Sequence, residues 1–484
     1  MENKLKQFFP DMLVYKSTDN GKFFAGLSLP SFMRDWLVMK FSDDSGKIDK
    51  EEVNSYVKRV IPKKEQWEHI KFEMTRKYQS VKFLAKIKID IDIASRSAFF
   101  SLPDFGVPKI KGEAIADWDV IEKNKNYLLS PNEVWGITEL ICDESDNRNG
   151  KTIIRLIGFQ PFCPYNIDLD YYIEARKQFS VEEWIDVVLA AIDYNPAGYG
   201  NITQKLTMLS RMLPFVEKRM NLIELAPKGT GKSYLFSQLS KYGWLVSGGS
   251  ISRAKMFYDI SKRNPGIAAH YDYVAFDEIQ SIAFPDKNEM QGALKGYLES
   301  GEFRVGDYRG VGDSGLVLLG NIDISLMNVH TNMFAELPDI FHDPALIDRF
   351  HGFIKGWDIP RMKESLKVNG PALNVEYFTE ILHMLRDELI YRAIVDELLI
   401  LPKNADTRDT EAIKRICTAY LKLIFPHIRR TEDISTNEFS AYCLDPAKEM
   451  RRVIKTQLSI IDLEFLGKDI PDIKIKDIKG GHNK

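Results

Sequence analysis

Hydrophobic and polar positions change their period within the first third of the chain. Up to about Tyr78, apolar residues recur at helical spacing, as in "DKEEVNSYVKRVIPKKEQWEHIKFEMTRKY", where Pro62 marks a break. From Val81 to Ile93, "VKFLAKIKIDIDI" alternates apolar and polar residues, which is typical of a half-buried strand. We therefore predict a helical N-terminal segment followed by a β domain.

The β domain is predicted to contain five short strands. Four further apolar stretches follow the first strand: "RSAFFSL", "GEAIADWDVI", "EVWGITELI" and "KTIIRLIGFQPF". "DESDNRNG" supplies turn residues before the last of them. Five strands in so short a segment predict a small antiparallel barrel, similar to an OB fold.

The rest of the chain divides into a mixed region and a helical region. Helical periodicity returns at "YNIDLDYYIEARKQF", and strands and helices then alternate to about Trp357, which predicts a parallel α/β sheet. Beyond Pro360 the pattern is helical, and the tail "DIKIKDIKGGHNK" is expected to fray. The predicted parts are a helical, basic N-terminal segment at 1–78, an OB-like β domain at 79–165, an α/β core with N-terminal linker helices at 166–360, and a helical lid with C-terminal helices at 361–484.

Composition restricts the classes of protein that the chain can represent. The 484 residues carry a formal net charge of −3, so any binding to nucleic acid must depend on a local patch. The four cysteines form no C-x-x-C pair, which predicts neither a zinc site nor a disulfide framework. The chain starts without an apolar leader and has no run of 18 apolar residues. We expect a soluble, cytoplasmic protein with no membrane partner.

A glycine-rich stretch between a predicted strand and a predicted helix is the main candidate for chemistry. "IELAPKGTGKSYLF" matches the phosphate-binding pattern G-x-x-x-x-G-K-[ST], except that Ala226 replaces the first glycine. The small methyl group is tolerable if that position needs no positive φ. Lys232 is expected on the β- and γ-phosphates and Ser233 on Mg²⁺. The expected ATP contacts are Pro227, Lys228, Gly229, Thr230, Gly231, Lys232, Ser233 and Tyr234.

Polar residues end the next predicted strands in an order that suits ATP hydrolysis. "YVAFDE" ends an apolar strand in Asp277 and Glu278, and "GLVLLGN" ends another in Asn321. Because the carboxyl ends of parallel strands meet at one edge of a sheet, Asp277 can support Mg²⁺ and Glu278 can polarise the attacking water. Asn321 can orient that water, and Arg349 follows in "FHDPALIDRFHGF". This order predicts an α/β AAA+ P-loop ATPase core, with ATP and Mg²⁺ as cofactors.

A predicted hairpin adds a more specific resemblance. "GEFRVGDYRG" is typical of a β-hairpin with Gly306 and Asp307 at its tip. It resembles the hairpin that precedes the Asn strand in the MCM replicative helicases, where a basic residue points into the pore of the ring. "ALIDRF" is similar to their arginine-finger segment, and an OB-like barrel before the ATPase core matches their arrangement.

Several longer stretches resemble the BrxL family, the Lon-related AAA+ proteins of BREX phage-defence systems. They are "LIELAPKGTGKSYLF", "VSGGSISRAKMFY", "VAFDEIQSI", "YLESGEFRVGDYRG", "LLGNIDIS", "IDRFHGFIKGWDIP" and "RDTEAIKRICTAYLKLIFPH". The resemblance covers about Phe179 to His427 and includes non-catalytic residues. Long members of the family continue into a Lon-like domain with a Ser–Lys dyad, whereas fewer than sixty residues follow His427. The resemblance therefore implies no peptidase activity for this chain.

The resemblance also implies roles for single residues. Arg349 would reach into the ATP site of a neighbouring subunit, so hydrolysis is expected to require a homo-oligomer, a hexameric ring or stacked rings. The lid arginine of MCM proteins maps onto Arg408, with Arg415 as an alternative. The implied catalytic set is Lys232, Asp277, Glu278, Asn321, Arg349 and Arg408.

Two basic features are candidates for binding DNA, mainly through its phosphates. From Lys58 to Lys88 the chain has ten basic and three acidic residues, with Trp67 and Tyr78 interleaved as candidates for stacking on bases. A solvated helix and strand face would explain the same residues. The contacts predicted in this stretch are Lys58, Arg59, Lys63, Lys64 and Lys71, and those predicted on the hairpin are Arg304, Tyr308 and Arg309.

Two functions of different classes remain open. The first is an ATP-driven ring that encircles or moves along DNA in antiphage defence, with other BREX components as further partners. The alternative is a AAA+ machine or regulatory scaffold that remodels protein partners. Met256, Phe257 and Tyr258 would then form an aromatic pore loop, although their helical spacing also fits core packing. A DNA-binding scaffold that uses ATP only as a switch would need the same residues as the first function. The MCM-like hairpin favours DNA.

Overall fold

The chain forms two compact units. The computed structural model describes residues 1–27, 29–43, 46–77, 79–108, 112–129, 133–143, 153–162, 165–261 and 263–476. The smaller unit contains Lys47–Asn166 with the short piece Phe41–Asp43, and the larger unit contains Met1–Lys40 and the chain from Ile167 onwards. The predicted boundaries at 78, 165 and 360 stay predictions.

The smaller unit contains a closed five-stranded barrel, where a small barrel was predicted. Apolar side chains of alternating strand positions, with Phe83, Phe100 and Leu156 among them, fill its interior. In hydrogen-bonding order the strands are Val81–Asp92, Ser97–Ser101, Ala114–Ala116, Ile153–Pro161 and Val134–Asp143. The helices of this unit are Lys50–Val60, Trp67–Lys77, Trp118–Lys123 and Lys125–Leu128. The likeness to an OB fold stays a prediction.

The predicted strand "GEAIADWDVI" is wrong in its second half. Only Ala114–Ala116 is a strand, and a helix begins at Trp118. Val120 and Ile121 are buried in the barrel core, and their amide groups donate to the Asp117 carbonyl in a helical turn. The strand pairs in parallel with Ile153–Pro161, so the barrel is not wholly antiparallel. The turn residues 144–150 lie outside the described residues.

A five-stranded parallel sheet forms the centre of the larger unit, which confirms the predicted parallel α/β sheet. From one edge to the other its strands are Gly352–Lys355, Leu222–Ala226, Gly315–Asn321, Tyr273–Asp277 and Gly243–Ser247. Every neighbouring pair is parallel. The second and fourth strands of this order are buried at every position, as expected for a sheet covered on both faces.

The helices of the larger unit occur in its N-terminal, middle and C-terminal parts. Those of the N-terminal part are Glu2–Phe8, Thr18–Ala25 and Ser31–Phe41. Those of the middle part are Leu169–Arg176, Val181–Ala191, Ile202–Leu209, Leu213–Val216, Lys232–Gln238, Arg253–Met256, Lys287–Ser300 and Pro344–Ile347. Those of the C-terminal part are Val375–Leu385, Ile390–Leu398, Thr407–Ile424, Thr436–Phe439 and Asp445–Ile461. Over the described ranges, none of the helices combines the length and the apolar character that a membrane span needs.

Short strands interrupt regions that the pattern predicts to be helical. Leu13–Lys16 pairs antiparallel with Gly370–Leu373, and Leu399–Ile400 pairs with Lys474–Ile475. The region beyond Pro360 is therefore not wholly helical, because each of these strands finds a partner far away along the chain. Residues 477–484 of the tail lie outside the described residues.

In the part of the larger unit that the structure describes, two β-hairpins lie outside the parallel sheet. Glu302–Val305 pairs antiparallel with Tyr308–Val311, which confirms the predicted hairpin with Gly306 and Asp307 at its tip. Gly306 has a φ of +61°, the left-handed conformation that such a tight turn requires. Tyr258–Asp259 and Asn264–Pro265 form a second, shorter hairpin that the sequence pattern did not indicate.

Candidate nucleotide-binding site

The predicted phosphate loop joins a buried strand to a helix. The strand Leu222–Ala226 ends at one edge of the sheet, residues 227–231 form the loop, and the helix starts at Lys232. Gly229 and Gly231 have φ values of +83° and +81°, which a residue with a side chain rarely adopts. The glycines at these two positions therefore allow the backbone to turn its amide groups around a phosphate.

Ala226, which departs from the phosphate-binding pattern, is an ordinary strand residue. It is fully buried, and its φ is not positive. Its methyl group lies beside Gly356, where an added Cβ would come within 2.2 Å of the Ala226 Cβ. The substitution is therefore accommodated in the core, away from the turn that the two glycines form.

Lys232 points its ammonium group at the carboxyl ends of two neighbouring strands. Its Nζ lies 3.5 Å from the Ala226 carbonyl oxygen and 3.4 Å from Asn321 Oδ1. The residue is only 7% exposed and has no ion pair with the described residues. Burial lowers the pKa of Lys232, with the charge of Arg211 acting in the same direction, while Glu224, Asp277 and Glu278 oppose this effect. An anion bound in the loop would restore the stability of the ammonium ion.

Asp277 and Glu278 lie at the end of the strand next but one to the phosphate loop. Asp277 is 7% exposed, and its Oδ1 accepts a hydrogen bond of 3.1 Å from the Glu278 amide. Glu278 is exposed and has a φ of +49°, a conformation that non-glycine residues adopt at a cost. Such strained residues are concentrated at functional sites. The Asn321 carbonyl on the intervening strand accepts from Gln280 Nε2 at 2.7 Å.

The oxygen atoms at this edge suit a magnesium ion bound together with a nucleotide. Ser233 is exposed, and its hydroxyl has no hydrogen-bond partner among the described residues. Where the structure describes the chain, no group of three or more His, Cys, Asp or Glu side chains could hold a metal ion alone. Mg²⁺ typically takes one or two protein oxygens and completes its shell with phosphate oxygens and water. Ser233 and Asp277 are the residues that would hold it.

A buried arginine supports the phosphate loop from below, and sequence reasoning missed it. Arg211 binds both carboxylate oxygens of Glu224, at 2.5 and 3.0 Å, and it also donates to the Thr230 carbonyl at 2.8 Å. The side chains of the pair are fully buried. Although burial disfavours its charge, Glu224 raises the pKa of Arg211. A glutamate within the apolar strand "LIELA" was the available signal, since a buried carboxylate needs a partner.

The Tyr234 side chain makes hydrogen bonds within the protein. Its hydroxyl lies 2.5 Å from Asp193 Oδ2 and 2.6 Å from Arg34 Nη2, and Ser31 contacts it at 3.2 Å. Lys16 binds the same aspartate at 2.6 Å. The predicted contact of Tyr234 with ATP stays a prediction. This network joins the helix Ser31–Phe41 to the helix that follows the phosphate loop, and no sequence motif indicated it.

Arg349 lies at the end of the sheet where the parallel strands start, whereas Lys232 lies at the end where they finish. It precedes the strand Gly352–Lys355, in which Gly352 pairs with Leu222 at the start of the phosphate-loop strand. The His351 amide bonds to the Asn221 carbonyl at the same edge. The structure therefore does not bring Arg349 to the phosphate loop of its own chain.

Glu299 brings Arg349 and Arg408 together. Its Oε2 lies 2.8 Å from Arg349 Nε and 3.4 Å from Arg408 Nη2. Arg408 also binds Asp348 at 3.1 Å. Arg415, the alternative lid arginine, donates instead to the Lys218 carbonyl at 2.6 Å. Of the two candidates, Arg408 is thus the one that shares a carboxylate with Arg349.

The hairpin presents two arginines side by side. Arg304 and Arg309 are directly opposite each other, both are exposed, and neither has an ion pair with the described residues. Tyr308 stacks on Tyr258 with a ring separation of 3.6 Å, so one face of its ring is covered. Met256 and Phe257 are fully buried, which confirms that core packing explains their spacing.

The basic stretch of the smaller unit is exposed in part. Lys58, Arg59, Lys63 and Lys64 are exposed and have no ion pair with the described residues. Lys71 binds Glu68 at 2.7 Å. The idea that Trp67 stacks on bases is wrong, because its side chain is 5% exposed and packs on Phe105 in the barrel core. Tyr78 lies outside the described residues.

Comparison with known proteins agrees with this arrangement. Residues 154–470 match the family model described as "Lon-like protease BrxL-like, ATPase domain", and residues 7–141 match "BREX system Lon protease-like protein BrxL N-terminal". The chain belongs to the BrxL-like family. The ATPase domain of this family implies that the chain uses a nucleotide.

Two relatives in this family are each named "Lon-like protease BrxL". The one from Escherichia coli O9:H4 (strain HS) is 30% identical over 471 residues, which cover 95% of this chain and 65% of the relative. The one from Bacillus cereus (strain H3081.97) is 32% identical over 336 residues, which cover 69% of this chain and 48% of the relative. Both names describe those longer proteins, and the absence of peptidase activity from this chain stays a prediction.

Proposed function

We propose that this chain is a Mg²⁺-dependent AAA+ ATPase that assembles into a ring and acts on DNA in BREX-type antiphage defence. The observation that carries the ATPase part is the set of side chains at one sheet edge. Lys232 lies next to Asn321, which ends one strand of the sheet. Asp277 and Glu278 lie at the end of the strand beside that of Asn321. The match to an ATPase domain family over most of the chain supports the same reaction.

Each residue at this edge has a definite task in the proposed reaction. Lys232 and the loop amides bind the β- and γ-phosphates, and Ser233 and Asp277 would hold Mg²⁺, which would supply positive charge against the phosphates. Glu278 accepts a proton from the attacking water, and Asn321 orients that water. Arg211 keeps the loop in place through the Thr230 carbonyl without touching the nucleotide.

The position of Arg349 supports assembly. The strand between it and the phosphate loop is five residues long, or roughly 15 Å. A residue at the other end of that strand can reach a bound triphosphate only if the triphosphate belongs to another copy of the chain. A ring of identical copies repeats this contact at each interface.

The hairpin supports DNA as the partner. Like charges directly opposite each other on two strands are unfavourable. Arg304 and Arg309 occupy such positions without a carboxylate from the described residues to neutralise them, which suits a surface that receives phosphate groups. The protein-remodelling alternative needs an aromatic pore loop, but Met256 and Phe257 of the candidate segment are buried, and Tyr258 stacks on Tyr308.

Two variants test the ATPase assignment. Lys232→Ala should abolish ATP binding, because Lys232 contacts phosphate in the ground state. Glu278→Gln should bind ATP and lose hydrolysis by at least about a hundredfold, because the carboxylate acts in the transition state. ATP affinity and phosphate release are measured for both, with Glu397→Gln, an exposed residue of the helix Ile390–Leu398, as the control. Turnover close to the wild-type rate in Glu278→Gln would refute its role as the base.

A further inference from the structure

Arg349 and Arg408 share one carboxylate in a cleft of the larger unit. Glu299, on the helix Lys287–Ser300, reaches Arg349 Nε at 2.8 Å and Arg408 Nη2 at 3.4 Å. The cleft has a volume of about 410 Å³, and both arginines line it. The residues from 406 to 408 and from 348 to 351 form most of its wall together with Glu299. Arg349 and Arg408 therefore face one cavity and share the Glu299 carboxylate there, while Arg415, Asp406 and Glu411 also line its wall.

The two carboxylates next to Arg408 are held very differently. Asp348 is 4% exposed, and Arg451 binds its Oδ1 at 2.6 Å as part of a buried network that includes Asp409. The Glu299 side chain is 47% exposed, and its only ion pairs with the described residues are those with the two arginines. An exposed ion pair is weak and exchanges easily, whereas a buried one with several hydrogen bonds does not. Glu299 is thus the partner that another anion can replace.

A triphosphate bound in the phosphate loop of the same chain cannot be this other anion. Asn221 marks the edge of the sheet at which this cleft lies, because its carbonyl accepts from the His351 amide in the cleft wall. The phosphate loop leaves the other end of the same strand after Ala226. A triphosphate that enters the cleft must therefore be bound by a second copy.

We propose that Glu299 is a positioning residue that holds Arg349 and Arg408 side by side and releases them to the terminal phosphates of ATP bound by a second copy of this chain. This inference rests on the proposed ATPase function and adds an exchange of anions at the interface. A phosphate group carries more charge than a carboxylate and accepts several hydrogen bonds from a guanidinium, so it displaces Glu299 once both copies meet. Without ATP, Glu299 keeps the arginines neutralised and the interface weak.

The charge of Glu299 then sets the ATP concentration at which copies assemble. Glu299→Gln removes the competing anion while keeping the size of the side chain. Because Arg349 then has no carboxylate partner among the described residues and Arg408 keeps only Asp348, the ATP concentration at half-maximal assembly should fall about three- to tenfold, as expected for loss of exposed ion pairs. Glu299→Asp retains the charge and should stay closer to the wild-type value.

Assembly is measured by sedimentation of the full chain across a range of ATP concentrations, in the Glu278→Gln background so that ATP persists. Glu397→Gln, an exposed glutamate without an ion pair to the described residues, is the matched control and should not shift the curve. Adding Arg349→Ala with Arg408→Ala should abolish the effect of Glu299→Gln, since that effect acts through the two arginines. If the double arginine variant does not assemble, the comparison of Glu299→Gln with Glu299→Asp decides.

The outcomes separate this inference from the proposed function. If the Glu278→Gln chain binds ATP and assembles, but Glu299→Gln does not lower the half-maximal concentration, the exchange of anions is refuted while the ATPase proposal stands. An equal shift in Glu397→Gln, or a shift that survives removal of both arginines, also refutes it. If the Glu278→Gln chain stays monomeric at every ATP concentration, the assembly part of the proposed function fails, and this inference fails with it.

Discussion

Arg211 and Glu224 form a fully buried ion pair directly beneath the phosphate loop. Two hydrogen bonds of 2.5 and 3.0 Å join the guanidinium to the carboxylate, and a third, of 2.8 Å, joins the guanidinium to the Thr230 carbonyl. Burying both charges is costly, and the pair offsets that cost only because its geometry is good. The same guanidinium thus joins the strand that precedes the phosphate loop to the loop itself.

Removing Arg211 should destabilise the chain and weaken ATP binding together. Arg211→Met leaves Glu224 buried without a partner, so the free energy of unfolding should fall by about 3–5 kcal/mol. Adding Glu224→Leu should recover part of that stability but not ATP affinity, because Thr230 still lacks its donor. Denaturant unfolding and ATP titration measure the two quantities. Arg452→Met, at an exposed arginine, is the control and should change either quantity little. Full ATP affinity in the double variant would contradict a supporting role for Arg211.

Ala226 should matter for packing and not for ATP. Ala226→Gly removes a buried methyl group that lies beside Gly356, and it adds backbone freedom to the unfolded chain. We expect the free energy of unfolding to fall by about 1–2 kcal/mol, with ATP affinity within about twofold of wild type.

Conversely, Gly356→Ala places a Cβ within 2.9 Å of the Leu225 carbonyl oxygen as well as close to the Ala226 methyl group. It should destabilise strongly, and Ala226→Gly should restore only part of the loss. A gain of tenfold or more in ATP affinity by Ala226→Gly would contradict this account.

Arg309 should contribute to DNA affinity through charge alone. The logarithm of the affinity should fall with the logarithm of salt concentration, and Arg309→Ala should reduce the slope by about 0.9, the value for one phosphate contact. Arg304→Ala should act similarly, because the two residues are cross-strand partners. Lys403→Ala, at an exposed lysine outside the hairpin, is the matched control. Affinity is measured for two unrelated duplexes across several salt concentrations. No binding by the wild type at low salt would refute the DNA proposal.

His351 should make stability depend on pH. Its Nδ1 accepts the Asn221 amide hydrogen bond at 3.0 Å, and burial, aided by the charges of Arg415 and Arg451, lowers its pKa well below the ordinary value. Below about pH 6.5 the unfolded chain therefore binds a proton that the folded chain does not, so stability is lost as pH falls. His351→Asn keeps an acceptor and removes this titration.

The measurement is the free energy of unfolding between about pH 7.5 and pH 5. The wild type should lose up to about 1.4 kcal/mol per pH unit more than His351→Asn below about pH 6.5. His427, whose pKa burial lowers to about 3, contributes a loss of the same sign in both chains. His69→Asn, at an exposed histidine, is the control. Parallel pH profiles for the wild type and His351→Asn would contradict the prediction.

The local sequence pattern was sufficient to predict a feature wherever its motif lies within one strand and the loop next to it. The phosphate loop was predictable because two glycines and a lysine adjoin an apolar strand. The positions of Asp277 and Asn321 followed from strand ends, since parallel strands bring their carboxyl ends to one edge. The hairpin around Gly306 was predictable for the same reason, because turn residues specify their own geometry. The roles of these residues in catalysis and binding stay predictions.

The sequence pattern could not predict contacts between residues that lie far apart along the chain. The strand Leu13–Lys16 forms only because Gly370–Leu373 offers it a partner, and Trp67 is buried only because the barrel supplies Phe105. Amphipathic spacing predicts which face of a helix is apolar, but not what that face will pack against. A basic helix with an interleaved tryptophan therefore resembles a binding surface until the core that contains the tryptophan is known.

The sequence by itself determined the phosphate loop, the strand-end carboxylates and the parallel sheet, because each depends on neighbouring residues and on backbone preferences that act locally. Only the tertiary structure decided that Arg211 supports the loop, that Ala226 is accommodated by Gly356, and that Glu299 joins Arg349 to Arg408. These relationships join residues that lie from nineteen to more than a hundred positions apart. Their energies come from burial and charge pairing, which exist only after the chain has folded and brought the partners together.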